Sequence, residues 1–129
     1  MQRDVPNIVI YCDTSKWIYR VSIIPFNICG IDHALVAKIL SYEWGISVRS
    51  GCFCAQPYVV KLLNISSEFL SERINNPNLY HPGMVRISFG LYNTYSEIDI
   101  LVYALKKISL KRDYYIRKYE NMKKTLFDV

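Results

Sequence analysis

Hydrophobic positions recur along the chain with two periods, and each change of period marks a new element. Ile8 to Cys12 is a short apolar run. Tyr19 to Ile28 follows with β-branched and aromatic residues, so both stretches predict strands, with Pro25 pointing to an edge or a bulge. From Asp32 the period lengthens to that of a helix. Asp32 is a suitable N-cap, Leu35, Val36, Ile39 and Leu40 share one face, and Gly45 after Trp44 is a stop. Ile46–Val48 predicts a short strand. Pro57 suits the first turn of a helix running through Leu63, and Ser67–Ile74 predicts another, broken by Asn75 to Asn78. After a turn at His81, Pro82 and Gly83, Met84–Phe89 alternates. Val85, Ile87 and Phe89 fall on one face, Arg86 and Ser88 on the other. Thr94 and Glu97 have capping-box spacing ahead of an apolar stripe of Ile98, Leu101, Val102, Leu105 and Ile108.

This order of strands and helices predicts an α+β fold, a small and mostly antiparallel sheet with helices packed on one face. The 129 residues fit a single domain with a sizeable core, and 51% apolar against 21% charged residues is a globular balance. No apolar run approaches the roughly 20 residues of a membrane span. The N-terminus lacks the basic start and apolar stretch of a secretory signal. Four cysteines without a framework spacing then read as reduced thiols, and the expected location is the cytoplasm. The formal charge of +5 gathers late, at Lys106, Lys107, Lys111, Arg112, Arg117, Lys118, Lys123 and Lys124. Asp113 and Glu120 are interspersed and no recognition motif accompanies them, so a solvated helical face is expected rather than a nucleic-acid arm. Tyr114, Tyr115 and Tyr119 are expected to cover apolar surface.

Chemistry concentrates in Val48-Arg-Ser-Gly-Cys-Phe-Cys-Ala-Gln-Pro57. It places a thiol, Cys54, on a short loop between an apolar run and a helix opened by proline, with Arg49 close behind. Arg86 lies on the polar face of the later strand. A thiol and two arginines point to a small carboxylate, which a planar two-pronged guanidinium suits better than an ammonium does. Taken alone, Cys54 would be an inert structural cysteine and Arg86 a surface strand residue. A metal site drawing on Cys12, Cys29, His33, Cys52 and Cys54 lacks the usual closely spaced ligand pairs, so no metal is expected.

From about Tyr19 to Ile108 the sequence resembles the C-terminal small domain of the class V, pyridoxal-phosphate-dependent aminotransferases, the group that includes cysteine desulfurases. The landmarks, in order, are Pro25 to Ile28, Gly30 to His33, Gly45 to Arg49, Gly51 to Pro57, Met84 to Phe89, Tyr92 to Thr94, and Glu97 to Asp99 with Leu101 to Leu105. The resemblance implies an aminotransferase small-domain fold over residues 1–129, with a core of about 19–108 and a helical tail at 109–129. It implies an enzyme acting on an amino acid, with cysteine desulfuration as the leading case. In that case Cys54 accepts sulfur as a persulfide, Arg86 holds the substrate carboxylate, and Arg49 opens the cysteine loop and draws anions to it. Where one desulfurase group has histidines before the nucleophile, this chain has Cys52 and Phe53. That departure brings the loop closer to molybdenum-cofactor sulfurases and unassigned members, so the substrate stays open.

The resemblance also implies pyridoxal phosphate in the complete enzyme. The cofactor needs a Schiff-base lysine, an acidic partner and a phosphate cradle, which this family carries in its large domain. Neither His33 nor His81 is followed by lysine, Lys16 and Lys61 lack the matching context, and no glycine-rich phosphate loop is visible. The expectation is that the large cofactor-binding domain is a missing partner, that no cofactor binds this chain alone, and that the chain alone is inactive. A homodimer is left open. The alternative is a truncated or repurposed domain with a non-enzymatic binding role.

Overall fold

The computed structural model describes residues 1, 3–12, 21–76 and 81–127. Lys16, Tyr19, Arg20, Pro77 and Asn78, to which expectations were attached above, lie outside the described residues. The elements in chain order are β1 (Ile8–Ile10), β2 (Ile23–Ile28), α1 (His33–Trp44), β3 (Arg49–Gly51), α2 (Gln56–Leu62), α3 (Ser67–Asn75), β4 (Met84–Ser88), α4 (Tyr95–Leu110) and α5 (Arg112–Phe127). The strands form one antiparallel sheet in the order β1-β2-β4-β3. The expected α+β class is the one found.

Alternation along β2 and β4 decides which side is closed. Phe26 pairs with Val85 and Ile24 with Ile87, and these side chains share a face with Ile28. Against that face lie Val36, Ile39 and Leu40 of α1 and Leu101, Ala104, Leu105 and Ile108 of α4, in one cluster with Phe26, Ile28, Val85 and Ile87. Phe26, Leu40, Leu105 and Ile108 have no exposed surface. Burial on that scale is worth roughly 1.5–3 kcal/mol per large apolar side chain, so this face supplies most of the fold's stability.

The helix ends follow their predicted chemistry. The Asp32 carboxylate accepts from the backbone N–H groups of Ala34 and Leu35 at 2.8 and 3.1 Å. Gly45, at φ +64°, donates to the Ser41 carbonyl at 3.1 Å, and Ile46 donates to Leu40 at 3.0 Å, closing α1 with a left-handed residue. At α4 the Thr94 hydroxyl accepts from the Glu97 N–H while the Glu97 carboxylate accepts from the Thr94 N–H, at 3.3 and 2.6 Å.

Most boundaries fall within a residue or two of the sequence expectation, β4 for instance ending at Ser88 and α3 taking in Asn75, and three differences bear on packing. The strand expected at Ile46–Val48 forms at Arg49–Gly51, because the hydrogen-bonding partners on β4 are Arg86, Val85 and Met84. Ile46 and Val48 instead pack against the apolar cluster as an extended lead-in from the α1 cap. β2 begins at Ile23, where pairing with Ser88 begins. The core also extends beyond residue 108. α5 lies against α1 and α4 with Tyr115 and Tyr119 in the central cluster, while Tyr114 stays 55% exposed. The Tyr119 hydroxyl donates to the Glu43 carboxylate at 3.2 Å, and the Lys118 ammonium bonds the same oxygen. The Lys118 hydrogen bond holds the Glu43 carboxyl below its ordinary range, whereas burial, with Glu43 nearby, pushes the Tyr119 phenol up to about 12. No described helix is long and apolar enough to cross a membrane.

Candidate active site

The face of the sheet turned away from α1 and α4 has a different character. Arg49 and Arg86 are direct partners in the β3–β4 register, so both side chains stand on this face. Like charges directly opposite each other destabilise a sheet unless something negative lies between them. Arg86 is half-buried, and its Nε–H is buried without a hydrogen-bond partner among the described residues. An orphaned buried donor on a permanently charged group calls for an explanation, and an anion is the simplest occupant.

The cysteine loop closes over Arg86. Phe53 lays its ring against the guanidinium, with Cζ 5.1 Å from the ring centroid. Phe53 and Cys54 are the central residues of a tight turn, closed by the Ala55 N–H donating to the Cys52 carbonyl at 2.8 Å. Both have positive φ, +53° and +60°. That is the type I′ pattern, normally filled by Asn and Gly, and each L-residue in it costs about 1–2 kcal/mol. The turn leaves Cys54 exposed one residue from the ring on Arg86, and Cys52 half-buried. Pro57 lies in the first turn of α2, as expected.

A second set of contacts fixes where Arg86 stands. The carbonyls of His81, Pro82 and Gly83 are each engaged by a different element: by His33 Nε2 at 2.9 Å, by the Cys52 thiol at 3.2 Å, and by the Asn27 amide at 2.9 Å. A carbonyl can only accept, so His33 Nε2 is the donor in this contact. Gly83 is required there, since a Cβ would come within 2.6 Å of His33 Nε2 and 2.8 Å of the Gly51 Cα. This clamp ties β2, α1 and the cysteine loop to the start of β4. Asn27 Oδ1, like Arg86 Nε, is buried without a hydrogen-bond partner among the described residues.

The three residues singled out from sequence therefore separate into two arginines opposed across β3 and β4 and a thiol whose neighbour Phe53 packs on Arg86. Asn27, Phe53 and the positioning part played by His33 were not singled out. The only signal for Asn27 and His33 was their place in the Pro25 to Ile28 and Gly30 to His33 landmarks. Two cavities among the described residues lie elsewhere. One, about 620 Å³, runs between the start of α1 and α5, and the other, about 330 Å³, lies between the lead-in at Ile46–Val48 and α4. Among the described residues no group of three or more His, Cys, Asp or Glu side chains is placed to hold a metal ion.

An antiparallel four-stranded sheet backed by helices, with paired arginines and a thiol loop on its open face, defines a class of protein, and comparison with known families agrees. The family model for class-V aminotransferases matches residues 3–101, and the chain belongs to that family. Probable cysteine desulfurase 1 of Mycobacterium leprae is 30% identical over 106 residues, covering 82% of this chain and 14% of that protein. A probable cysteine desulfurase of Staphylococcus aureus strain Mu50 is 36% identical over 88 residues, 68% of this chain and 17% of the relative. The cysteine desulfurase CsdA of Escherichia coli K12 is 31% identical over 86 residues, 67% and 17% respectively. The crystal structure of E. coli CsdA in its S-sulfonic acid form superposes with a TM-score of 0.50 at 26% identity, over 73% of this chain and 21% of that one. The chain thus spans about a seventh to a fifth of the length of the proteins it matches.

Pyridoxal phosphate is implied by the family. Among the described residues, Arg49, Arg86, Asn27, Cys52 and Cys54 supply guanidiniums, an amide and thiols, and none of these five is a lysine amine or a carboxylate. That donor set does not fit the cofactor's aldehyde and ring nitrogen. Paired guanidiniums suit an anion.

Proposed function

We propose that this chain is the substrate-facing small domain of a cysteine desulfurase of the class-V family. It takes its place beside a large domain that carries the cofactor, and without that domain it is inactive. The observation that carries the reading is the opposition of Arg49 and Arg86 across β3 and β4, with the Cys54 turn held over Arg86 by Phe53. The guanidiniums bind the amino-acid carboxylate, with Arg86 as the main holder because its Nε–H has no partner among the described residues. Binding there orients the side chain of the amino acid toward the exposed Cys54, which accepts its sulfur as a persulfide. The relatives named above support cysteine as the substrate.

The test uses the complete enzyme containing this chain. Cys54→Ala is expected to abolish sulfide production from cysteine while cofactor absorbance is retained. Full activity in that variant would make the enzyme an aminotransferase or lyase with no role for the thiol.

A further inference from the structure

The loop carries a second thiol for which the carboxylate site has no use. Cys52 opens the tight turn and Cys54 occupies its third position, with the Cys52 carbonyl and the Ala55 N–H closing the turn at 2.8 Å. In a strand, alternate Cα atoms stand about 6.7 Å apart, at the outer limit of what a disulfide spans. A turn draws its four Cα atoms within about 7 Å end to end, which brings its first and third residues closer than a strand would. The positive φ at both Phe53 and Cys54 is what makes this segment a turn. The two thiols also differ in setting. Cys54 is exposed, whereas Cys52 is half-buried and donates its S–H to the Pro82 carbonyl at 3.2 Å. Cys54 is thus the thiol open to solvent, and Cys52 the one held by a backbone carbonyl.

We propose that Cys52 is the resolving thiol of this site: it attacks the inner sulfur of a persulfide on Cys54 and releases the terminal sulfur as sulfide. This rests on the reading of Cys54 as sulfur acceptor. The bond formed is Cys52 Sγ to Cys54 Sγ, and the bond broken joins Cys54 Sγ to the terminal sulfur, which leaves with the electron pair. The Cys52 proton ends on the departing hydrosulfide, giving hydrogen sulfide. The sulfane sulfur is reduced to sulfide and the two thiols are oxidised to a disulfide, so no outside oxidant is needed. A dithiol reductant returns the pair to its starting state. A disulfide between residues two apart closes a small, strained ring, and strained disulfides are the readily reduced ones, which suits a pair that must cycle.

Trypsin cutting after Arg49 and Lys61 isolates both cysteines on one peptide, which makes the test direct. The 129-residue chain is treated with inorganic polysulfide under argon, then trapped with an alkylating agent, and the peptide is weighed while released sulfide is measured. In the unmodified chain both alkylatable thiols of this peptide should be lost together, with sulfide released in step. In Cys52→Ser the added sulfur should stay on Cys54 and be alkylated there as a persulfide. A Cys54 persulfide that accumulates equally in both chains would overturn the proposal. Diamide, which oxidises thiols without supplying sulfur, tests the geometry alone; failure to form the peptide's internal disulfide would overturn it too. Failure of the desulfurase reading would show separately, as undiminished sulfide production from cysteine by the complete enzyme carrying Cys54→Ala.

Discussion

One strand, β4, builds both sides of this molecule, and the two sides obey opposite rules. Val85 and Ile87 point into the helix-covered face, where the side chains packed against them are apolar and buried. Arg86, between them in sequence, points to the other face. There a second arginine stands opposite, Arg86 Nε and Asn27 Oδ1 are buried without partners among the described residues, and a tight turn holds two L-residues in a backbone region they avoid. The covered face is packed mainly by apolar side chains, with Trp44 Nε1 its own buried polar atom lacking a partner among the described residues. The open face leaves electrostatic repulsion and backbone strain in place, and unrelieved costs of that kind gather where a protein binds or reacts.

The contrast is broken most severely from the covered side. Phe26, fully buried and paired with Val85, sits at the centre of the cluster. Phe26→Ala should cost about 3–5 kcal/mol, read as a fall in the denaturant midpoint, because the lost contacts and the residual cavity add. A loss below about 1 kcal/mol would mean that the covered face is not where stability resides.

A smaller effect probes how far the covered face extends. Tyr119 and Lys118 fasten α5 to Glu43 of α1. Tyr119→Phe removes a hydrogen bond to a carboxylate and should cost about 1.5 kcal/mol near neutral pH. The same residue sets an alkaline limit. Its phenol titrates near 12 in the folded chain against an ordinary value of 10, so the neutral form is favoured by folding. That contribution is fully present below pH about 10 and is lost as pH rises through about 12. Chemical denaturation across this window should show a steeper fall for the unmodified chain than for Tyr119→Phe. Some fall should persist in the variant, since burial also raises the Tyr115 phenol. Equal slopes would place α5 off the core.

What could be read from sequence follows the same division. The Asp32 cap, the Gly45 stop, the Thr94–Glu97 box and the alternation of Met84–Phe89 are local devices, visible within a few residues, and each forms as expected apart from the last residue of the strand. The position of β3 was legible only to within three residues, because a strand's limits are set by its partner rather than by its own apolar run. Docking of α5 was legible in part: the tyrosines were expected to cover apolar surface, and Tyr115 and Tyr119 do, but in so polar a helix the exposed Tyr114 was not told apart from them. At the site, Cys54, Arg49 and Arg86 stood out by residue type and by the family motif. The clamp on His81 to Gly83 did not, because its donors lie 30 to 56 residues away in sequence. The turn at Phe53 and Cys54 was the least legible feature. Neither residue signals positive φ, and the ring contact with Arg86 that accompanies it is long-range.

That turn yields the smallest effect and the sharpest one. Cys54 is exposed, so replacing it removes little packing, and its φ of +60° is a conformation glycine adopts at no steric cost. Cys54→Gly should therefore stabilise the chain, by about 0.5–1 kcal/mol after allowing for glycine's greater freedom in the unfolded state. Phe53→Gly relieves the same kind of strain but gives up the ring on Arg86, and should gain less. Equilibrium unfolding of the two variants side by side separates the cases. A stabilised Cys54→Gly means that a cysteine is kept where another residue would fold better, which marks the open face as built around the thiol. A destabilised Cys54→Gly would mean that the side chain makes a structural contribution, and the contrast between the two faces of β4 would then stop short of the cysteine loop.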